Sequence, residues 1–389
     1  MSKLNVDTIE PEGASTTLTL GASGDTVALG TGAGVNFRSS RNMIVNGAMQ
    51  ISQRNTSVQK QYDTSNGYYT CDRVRTTQSN LDNAVWTMTQ DSHLLTGPAG
   101  FPNSWKITVD TAETALAADE ALSFSYNIEA QDCQNLAYGT SDAQTTTTSF
   151  WVKSDVTGTY SLTLKQHDAS RNIGGTYTID SADTWEYKTV TFAGDTAGTG
   201  INDDSGVGVI LYFALSAGTD RTSADNTSWA AYAVNRSAYG QTANVLASAT
   251  DYWQITGLQF EIGSVATPFE HKTFGQELAA CQRYYEKSYN QGTAPATATA
   301  VGAWMWRHTD AGAGINTVTF LTSKRATPTM VTYGRASGTS GKITNMSGGA
   351  SDITATAMNT GEDSVCWNWT STGSETYVEG HWTADAEIS

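Results

Sequence analysis

The chain has 389 residues, enough for two or three domains, and 15% of them are charged against about 25% in an average soluble domain. Hydrophobic residues make up 39%, and 11 Trp, 17 Tyr and 10 Phe exclude wholesale disorder, while the scarcity of charge excludes a coiled coil. The balance of 22 Lys and Arg against 38 Asp and Glu gives −16, which repels phosphate backbones and anionic lipid, so neither nucleic acid nor membrane insertion is expected.

The opening, Met1 to Asp7, has no apolar core of a leader peptide. Residues 1–40 form a distinct segment in which Leu18-Thr19-Leu20-Gly21 is echoed by Val27-Ala28-Leu29-Gly30. Alternating apolar residues with Gly-rich turns read as short strands, and so few apolar residues cannot stand alone in water. The segment is therefore expected to be stabilised by copies of itself or by a partner.

Residues 41–271 read as one large β domain. Tyr160, Leu162 and Leu164 point one way while Ser161, Thr163 and Lys165 point the other. The longest apolar run, Val207 to Leu215, spans nine residues against the about 20 of a membrane helix, so it reads as a buried strand. Trp253 and Ile255 share one parity, Leu258, Phe260 and Ile262 the other, and Gly257 at the switch predicts a bulge. Regular strands with few helices predict a two-sheet sandwich, a jelly roll.

Residues 272–292 predict one linker helix. Thr273 and Gln276 have capping-box spacing, and Phe274, Leu278, Cys281 and Tyr285 share a face up to a stop at Gly292. Residues 293–389 carry recurring Gly/Ser turns and predict a C-terminal antiparallel β-sandwich, a tip domain. The fold class is thus all-β: a β-rich docking segment, a jelly-roll sandwich, one helix and a second sandwich.

Cys71, Cys133, Cys281 and Cys366 lie far apart and predict free thiols in a chain made in a reducing cytoplasm, with an inter-domain disulfide as the alternative. The five histidines fit no metal motif, no Gly-x-Ser-x-Gly elbow or phosphate loop occurs, and no cofactor is expected. The acidic pairs Asp119-Glu120 and Asp203-Asp204 read as solvated surface. Asn202 to Gly206 has the look of a calcium loop without the EF-hand pattern, and no metal is assigned. Aromatic pairs at period two stand out in the last quarter of the chain. Trp304, Trp306 and His308 share one strand face, Trp367 and Trp369 another, and Trp382 follows His381. Such rings either build a core or trimer interface or stack on sugars; as binding residues they are the candidate glycan contacts.

The run Arg41-Asn42-Met43-Ile44-Val45-Asn46-Gly47-Ala48-Met49-Gln50-Ile51-Ser52-Gln53-Arg54 resembles the start of a module found in fibre and other virion proteins of tailed phages. Tyr69-Thr70-Cys71-Asp72-Arg73-Val74 does so as well, and the strongest match runs from Trp253 to Gly263, through Ala266-Thr267-Pro268-Phe269-Glu270, to Cys281-Gln282-Arg283-Tyr284-Tyr285. The opening Lys3-Leu4-Asn5-Val6-Asp7-Thr8-Ile9 is similar to the N-terminal part of tail fibres of marine podovirus-like phages. Asn55 and Val74 depart from the usual Gly and Trp of the module. The resemblance implies a jelly roll like a carbohydrate-binding module, a homotrimeric tail fibre, a tail adaptor or nozzle protein receiving residues 1–40, and a distal C-terminal end. Host surface glycan is then the expected partner, the virion the expected location, and the chain no enzyme, with neutral sugar faces meeting the tip. A head fibre or capsid-surface appendage and a glycan depolymerase are the alternatives.

Overall fold

Alternating apolar and polar residues, broken every few positions by Gly, Asn, Asp or Ser, make strands the regular element most of this chain can form. The structure, a computed structural model, describes residues 41–63, 66–308, 312–347, 349–371 and 376–388. The expected docking and trimerising segment, 1–40, lies outside the described residues. The next strands are β1 Ser57–Gln61, β2 Gly67–Tyr68, β3 Arg75–Ser79, β4 Val85–Ser92, β5 Asn103–Thr111, β6 Ala121–Glu129 and β7 Thr146–Ser154. They continue as β8 Gly158–Gln166, β9 Arg171–Ile179, β10 Glu186–Phe192, β11 Val207–Ala217, β12 Ala230–Ala231 and β13 Tyr252–Ile262. Six of them pair in the order β1-β4-β5-β13-β7-β10 and seven in the order β12-β9-β8-β11-β6-β3-β2. Every neighbouring pair is antiparallel, which gives the expected two-sheet jelly roll.

The core lies between the sheets. Trp86, Trp105, Phe150 and Trp253 enter from the six-stranded sheet and meet Phe124, Tyr160, Tyr177 and Phe213 from the other. Trp105 lies 5.3 Å from Phe124, and Phe213 lies 5.2 Å from Phe124 and 5.1 Å from Phe150, ring centre to ring centre. Burying a side chain such as Phe124 is worth about 1.5–3 kcal/mol, so this aromatic layer dominates the stability of the sandwich. In β11 the residues Val209, Leu211, Phe213 and Leu215 face inward. The outer face of the same strand is covered in part by Tyr284 and Ile388, which pack on Val207 and Ile210, while the segment after it lies over the neighbouring β8 and β9. Asn226 reaches from that segment to Thr163 Oγ1 at 3.2 Å, and its carbonyl accepts the Gly174 N–H at 2.7 Å. This double cover is why the run reads as apolar on both faces.

The bulge falls where the parity switch places it. Gly257 has φ 62°, and the β13–β7 register shifts between Thr256 and Gln259. Trp253, Ile255, Leu258 and Phe260 all reach the core as a result.

The helix is shorter than expected: it runs Phe274–Gln282, and the chain to 292 is not helical. Its start is as expected, with Thr273 and Gln276 forming a capping box. Phe274 is exposed rather than on the buried face. Beyond Gln282 the chain is drawn into pairing with the last strand, and Tyr284 and Tyr285 take partners on distant elements. Tyr284 donates to Glu129 at 2.9 Å, and Tyr285 lies under the Arg54 guanidinium at 3.7 Å. From there the chain extends as β14 Tyr285–Lys287.

The remaining strands are β15 Trp304–His308, β16 Gly312–Thr319, β17 Thr329–Gly334, β18 Lys342–Asn345, β19 Ser351–Met358, β20 Ser364–Ser371 and β21 Thr376–Asp385. β21 is the spine, pairing with β14, β15, β17 and β18, all antiparallel. β18 leads to β19, β20 and β16, which close over a second core of Phe320, Ile343, Val365, Trp367, Trp369, Val378 and Trp382. Residues 41–389 form one compact unit, in which Ile388 packs with Val207, Ile210 and Tyr284 between the jelly roll and the C-terminal sheets. All four cysteines are free thiols.

Candidate functional site

The signature residues of the resemblance build the junction between the jelly roll and the C-terminal strands. Asn46 Nδ2 donates to the carbonyls of Ile51 and Asp72 at 2.8 and 3.0 Å. Gln53 Nε2 donates to Asp72 at 2.6 Å and to the Tyr285 carbonyl at 2.7 Å. Arg54 holds Asp385 at 2.9 Å, and fully buried Arg73 pairs with Glu387 while its guanidinium lies 3.5 Å over the Tyr284 ring. Arg283 holds Glu129 at 2.7 Å. Burial pushes the Asp72 carboxyl above its usual range against the pull of Arg54, and pushes the Lys287 ammonium down to about 8. Charges in so little water persist only when paired and hydrogen-bonded, and the Arg fork provides both. These residues hold the jelly roll and the C-terminal strands together.

The structure corrects most of the expected glycan contacts. Trp367 and Trp369 are 1% exposed and Trp382 5%, all within the second core. The physical reason is parity: Val365, Trp367 and Trp369 share the inner face of β20. Gly314 lies opposite Trp369 in register, and a Cβ there would come within 2.3 Å of the indole, so the glycine makes room for the ring. Trp304 packs against this core 6.1 Å from Trp369. Trp306 alone of the five tryptophans presents an exposed ring, at 41%. His308 takes its place in β15, and its side chain is outside the described residues.

The acidic pairs divide. Asp203 and Asp204 are exposed, as expected. Glu120 is buried, contrary to the expectation of solvated surface, and meets Glu113 and Asp82 with carboxylate oxygens within 4.8 Å of one another. Burial raises the Glu120 pKa, and the charges of Glu113, Asp82 and Asp119 raise it further against a backbone hydrogen bond. Ala117 N–H and Asn83 N–H donate to Glu120 and Glu113 at 2.6 and 3.0 Å. Three such oxygens are ligands of the kind hard divalent cations take.

A groove opens on the outer face of the seven-stranded sheet. Register aligns Arg75, Ser125, Tyr212 and Thr163 in one row across β3, β6, β11 and β8, and Thr77, Ser123 and Ala214 in the next. Small Ser, Thr and Ala side chains lower the floor between Arg75 and Tyr212. The segment after β11 forms the wall with Arg221, Tyr232 and Ser237. Arg221 is anchored by donating to the Asp119 carbonyl at 2.9 and 3.3 Å, and Lys165 lies 4.3 Å over the Tyr232 ring. The groove holds about 200 Å³, and no carboxylate lines it among the described residues. A second cleft of about 570 Å³ lies beside it, lined by Tyr68, Tyr69, Tyr285 and Tyr333 together with Arg54 and Asp385. Asn66 and Arg75 belong to the walls of both, so the two form one trough from the jelly roll to the C-terminal sheet. Tyr285 is buried beneath Arg54, but half-buried Tyr68, Tyr69, Tyr212 and Tyr333, flanked by Arg, Asn, Gln and Ser, offer rings and hydrogen bonds of the kind sugars use.

No helix among the described residues is long and apolar enough to cross a membrane. No protein-family model matches the chain, and no curated protein matches it. Among solved structures, the enzymatically active domain of bacteriophage CBA120 tailspike protein 4 is similar at 10% identity with a TM-score of 0.30, over 57% of this chain and 22% of that one. A putative sugar binding protein from Bacteroides thetaiotaomicron is similar at 13% identity and a TM-score of 0.30, over 57% of this chain and all of that one. The family 11 carbohydrate-binding module from Clostridium thermocellum is similar at 11% identity and a TM-score of 0.27, over 55% of this chain and 99% of that one.

Proposed function

We propose that the chain is a non-enzymatic virion protein of a tailed phage, a homotrimeric tail fibre that attaches to host surface glycan through the trough on its jelly roll. The observation that carries the glycan reading is the groove itself: Tyr212 and Tyr232 with Asn66, Gln78, Arg75 and Arg221 around a floor of small hydroxyl side chains. The virion assignment rests on the signature runs at 41–54, 69–74 and 253–285, with residues 1–40 as the end received by an adaptor or nozzle protein. The proposed binding surface differs from the one the tryptophan pairs pointed to, because Trp367, Trp369 and Trp382 fill a core.

A depolymerase needs two carboxyl groups flanking the scissile bond. The groove's lining has none, and the acids of the neighbouring cleft, Asp385 and Glu387, are held by arginines. This supports a binder over a hydrolase. The test is an array of bacterial surface polysaccharides probed with the whole protein and with Tyr212→Ala. Retention without release of reducing ends, lost in the folded variant, is the expected result. Release of reducing ends, or retention by Tyr212→Ala as strong as that of the parent, overturns the reading.

A further inference from the structure

We infer that the groove takes an acidic saccharide, a sugar unit whose carboxylate or phosphate is met by Arg75 and Arg221. This rests on the glycan reading of the same groove and adds the chemical class of its ligand. In a chain with 38 acids and 22 bases, each guanidinium has carboxylates in excess. Arg54, Arg73, Arg171, Arg283 and Arg335 each hold one. Arg41, Arg236 and Arg325 donate to backbone carbonyls instead. Arg75 and Arg221 also hold no carboxylate among the described residues, and these two line the same groove.

Arg221 is positioned rather than neutralised. Its Nε and Nη2 donate to a backbone carbonyl, which fixes the plane and leaves Nη1 unengaged. Arg75 is placed by the sheet, opposite Ser125 in β6, with Tyr212 one strand further on in the same row. Lys165, over the Tyr232 ring, adds a third cation at the rim. Two guanidiniums, one of them anchored, and no lining carboxylate among the described residues make the groove locally cationic on an anionic molecule. A fork matches the paired oxygens of a carboxylate or a phosphate and gains from partial enclosure. A neutral sugar would leave both charges without a counterpart. The long-range field of the molecule repels an acidic polymer, so recognition is confined to contact distance, within a Debye length of about 8 Å at physiological salt. The tyrosines of the adjoining cleft are placed to stack on the rings flanking the charged unit.

The experiment uses the full chain and a panel of matched oligosaccharides: uronic-acid oligomers beside their carboxyl-reduced twins, and phosphorylated oligomers beside their dephosphorylated twins. The expected result is binding to one acidic series at least about tenfold tighter than to its neutral twin, with the preference reduced about tenfold in Arg75→Gln and in Arg221→Gln. Which series binds distinguishes carboxylate from phosphate. Arg75→Lys, which keeps the charge without the fork, should retain part of the preference, and unfolding midpoints establish that each variant is folded. If neutral twins bind as tightly as acidic ones, or if folded glutamine variants keep the preference, the inference falls and the glycan groove stands. If no member of either kind binds, both fall.

Discussion

At the scale of single residues, the most consequential contact is between Arg73 and Glu387, 314 positions apart. Both are buried, so the pair is a condition of folding: removing one partner strands the other charge. Glu387→Ala is expected to destabilise the protein by about 3–5 kcal/mol in denaturant unfolding. A double change to apolar residues of similar volume should recover most of that loss. His381 sets a second residue-scale prediction. Its ring stacks on Tyr289 at 3.8 Å, with Nδ1 3.0 Å from Ser288 Oγ and Nε2 3.0 Å from the Thr299 carbonyl. Burial lowers its pKa from 6.5, against the raising effect of that backbone contact and of Glu379. The unfolded chain therefore binds the proton first, and stability falls as pH drops below about 6.5. The expected outcome is a lower unfolding midpoint at pH 5 than at pH 7, with a smaller difference in His381→Gln. Equal pH dependence in the variant would remove His381 as the cause. None of this junction is legible in the sequence, where Arg73 and Glu387 are ordinary polar letters. Period-two tryptophans were legible as strand residues, but parity alone does not say which face of a strand meets solvent.

At the scale of elements, local chemistry was a good guide wherever it acts locally. The parity switch around Gly257 located the bulge because one extra residue must rotate every later side chain. A Cβ at Gly257 would lie 3.0 Å from the Phe101 ring, at φ 62°. Gly257→Ala is expected to destabilise by about 1–3 kcal/mol, read by thermal or denaturant unfolding. The capping box was legible for the same reason, since Thr273 and Gln276 satisfy each other. The far end of the helix was not, because nothing local ends it. Tyr284 and Tyr285 are drawn apart by Glu129 and Arg54, on distant strands, and β14 pairs with the last strand of the chain. The groove escaped notice on similar grounds. Arg75, Ser125 and Tyr212 become neighbours only through the register of three strands, and Ser, Thr and Ala on an outer strand face carry no signal of their own.

At the scale of the whole molecule, the two cores and the junction between them lie within residues 41–389, which make one compact unit. Nothing in that account draws on residues 1–40, whose sequence supplies too few apolar residues to bury a face of its own. Folding and assembly should therefore separate. A chain lacking residues 1–40 is expected to unfold at the same denaturant concentration as the full chain, because residues 41–388 supply both cores. It is expected to differ in mass in native buffer: three chains for the full protein, one for the truncated form. The reason lies in charge as well as apolar area. Each copy carries −16, so three held together would have to gain more from contacts of the N-terminal segment than they lose to mutual repulsion. That gain disappears with the segment, while the repulsion remains. Glycan binding provides a second readout. One groove of about 200 Å³ makes few contacts, and three on one assembly raise the effective concentration of the second and third. The truncated chain should keep the affinity of a single site for a short oligosaccharide and lose retention on a polymer-coated surface. A truncated protein that stays trimeric would move the assembly contacts into residues 41–389, and one that unfolds would show that the N-terminal segment completes the fold.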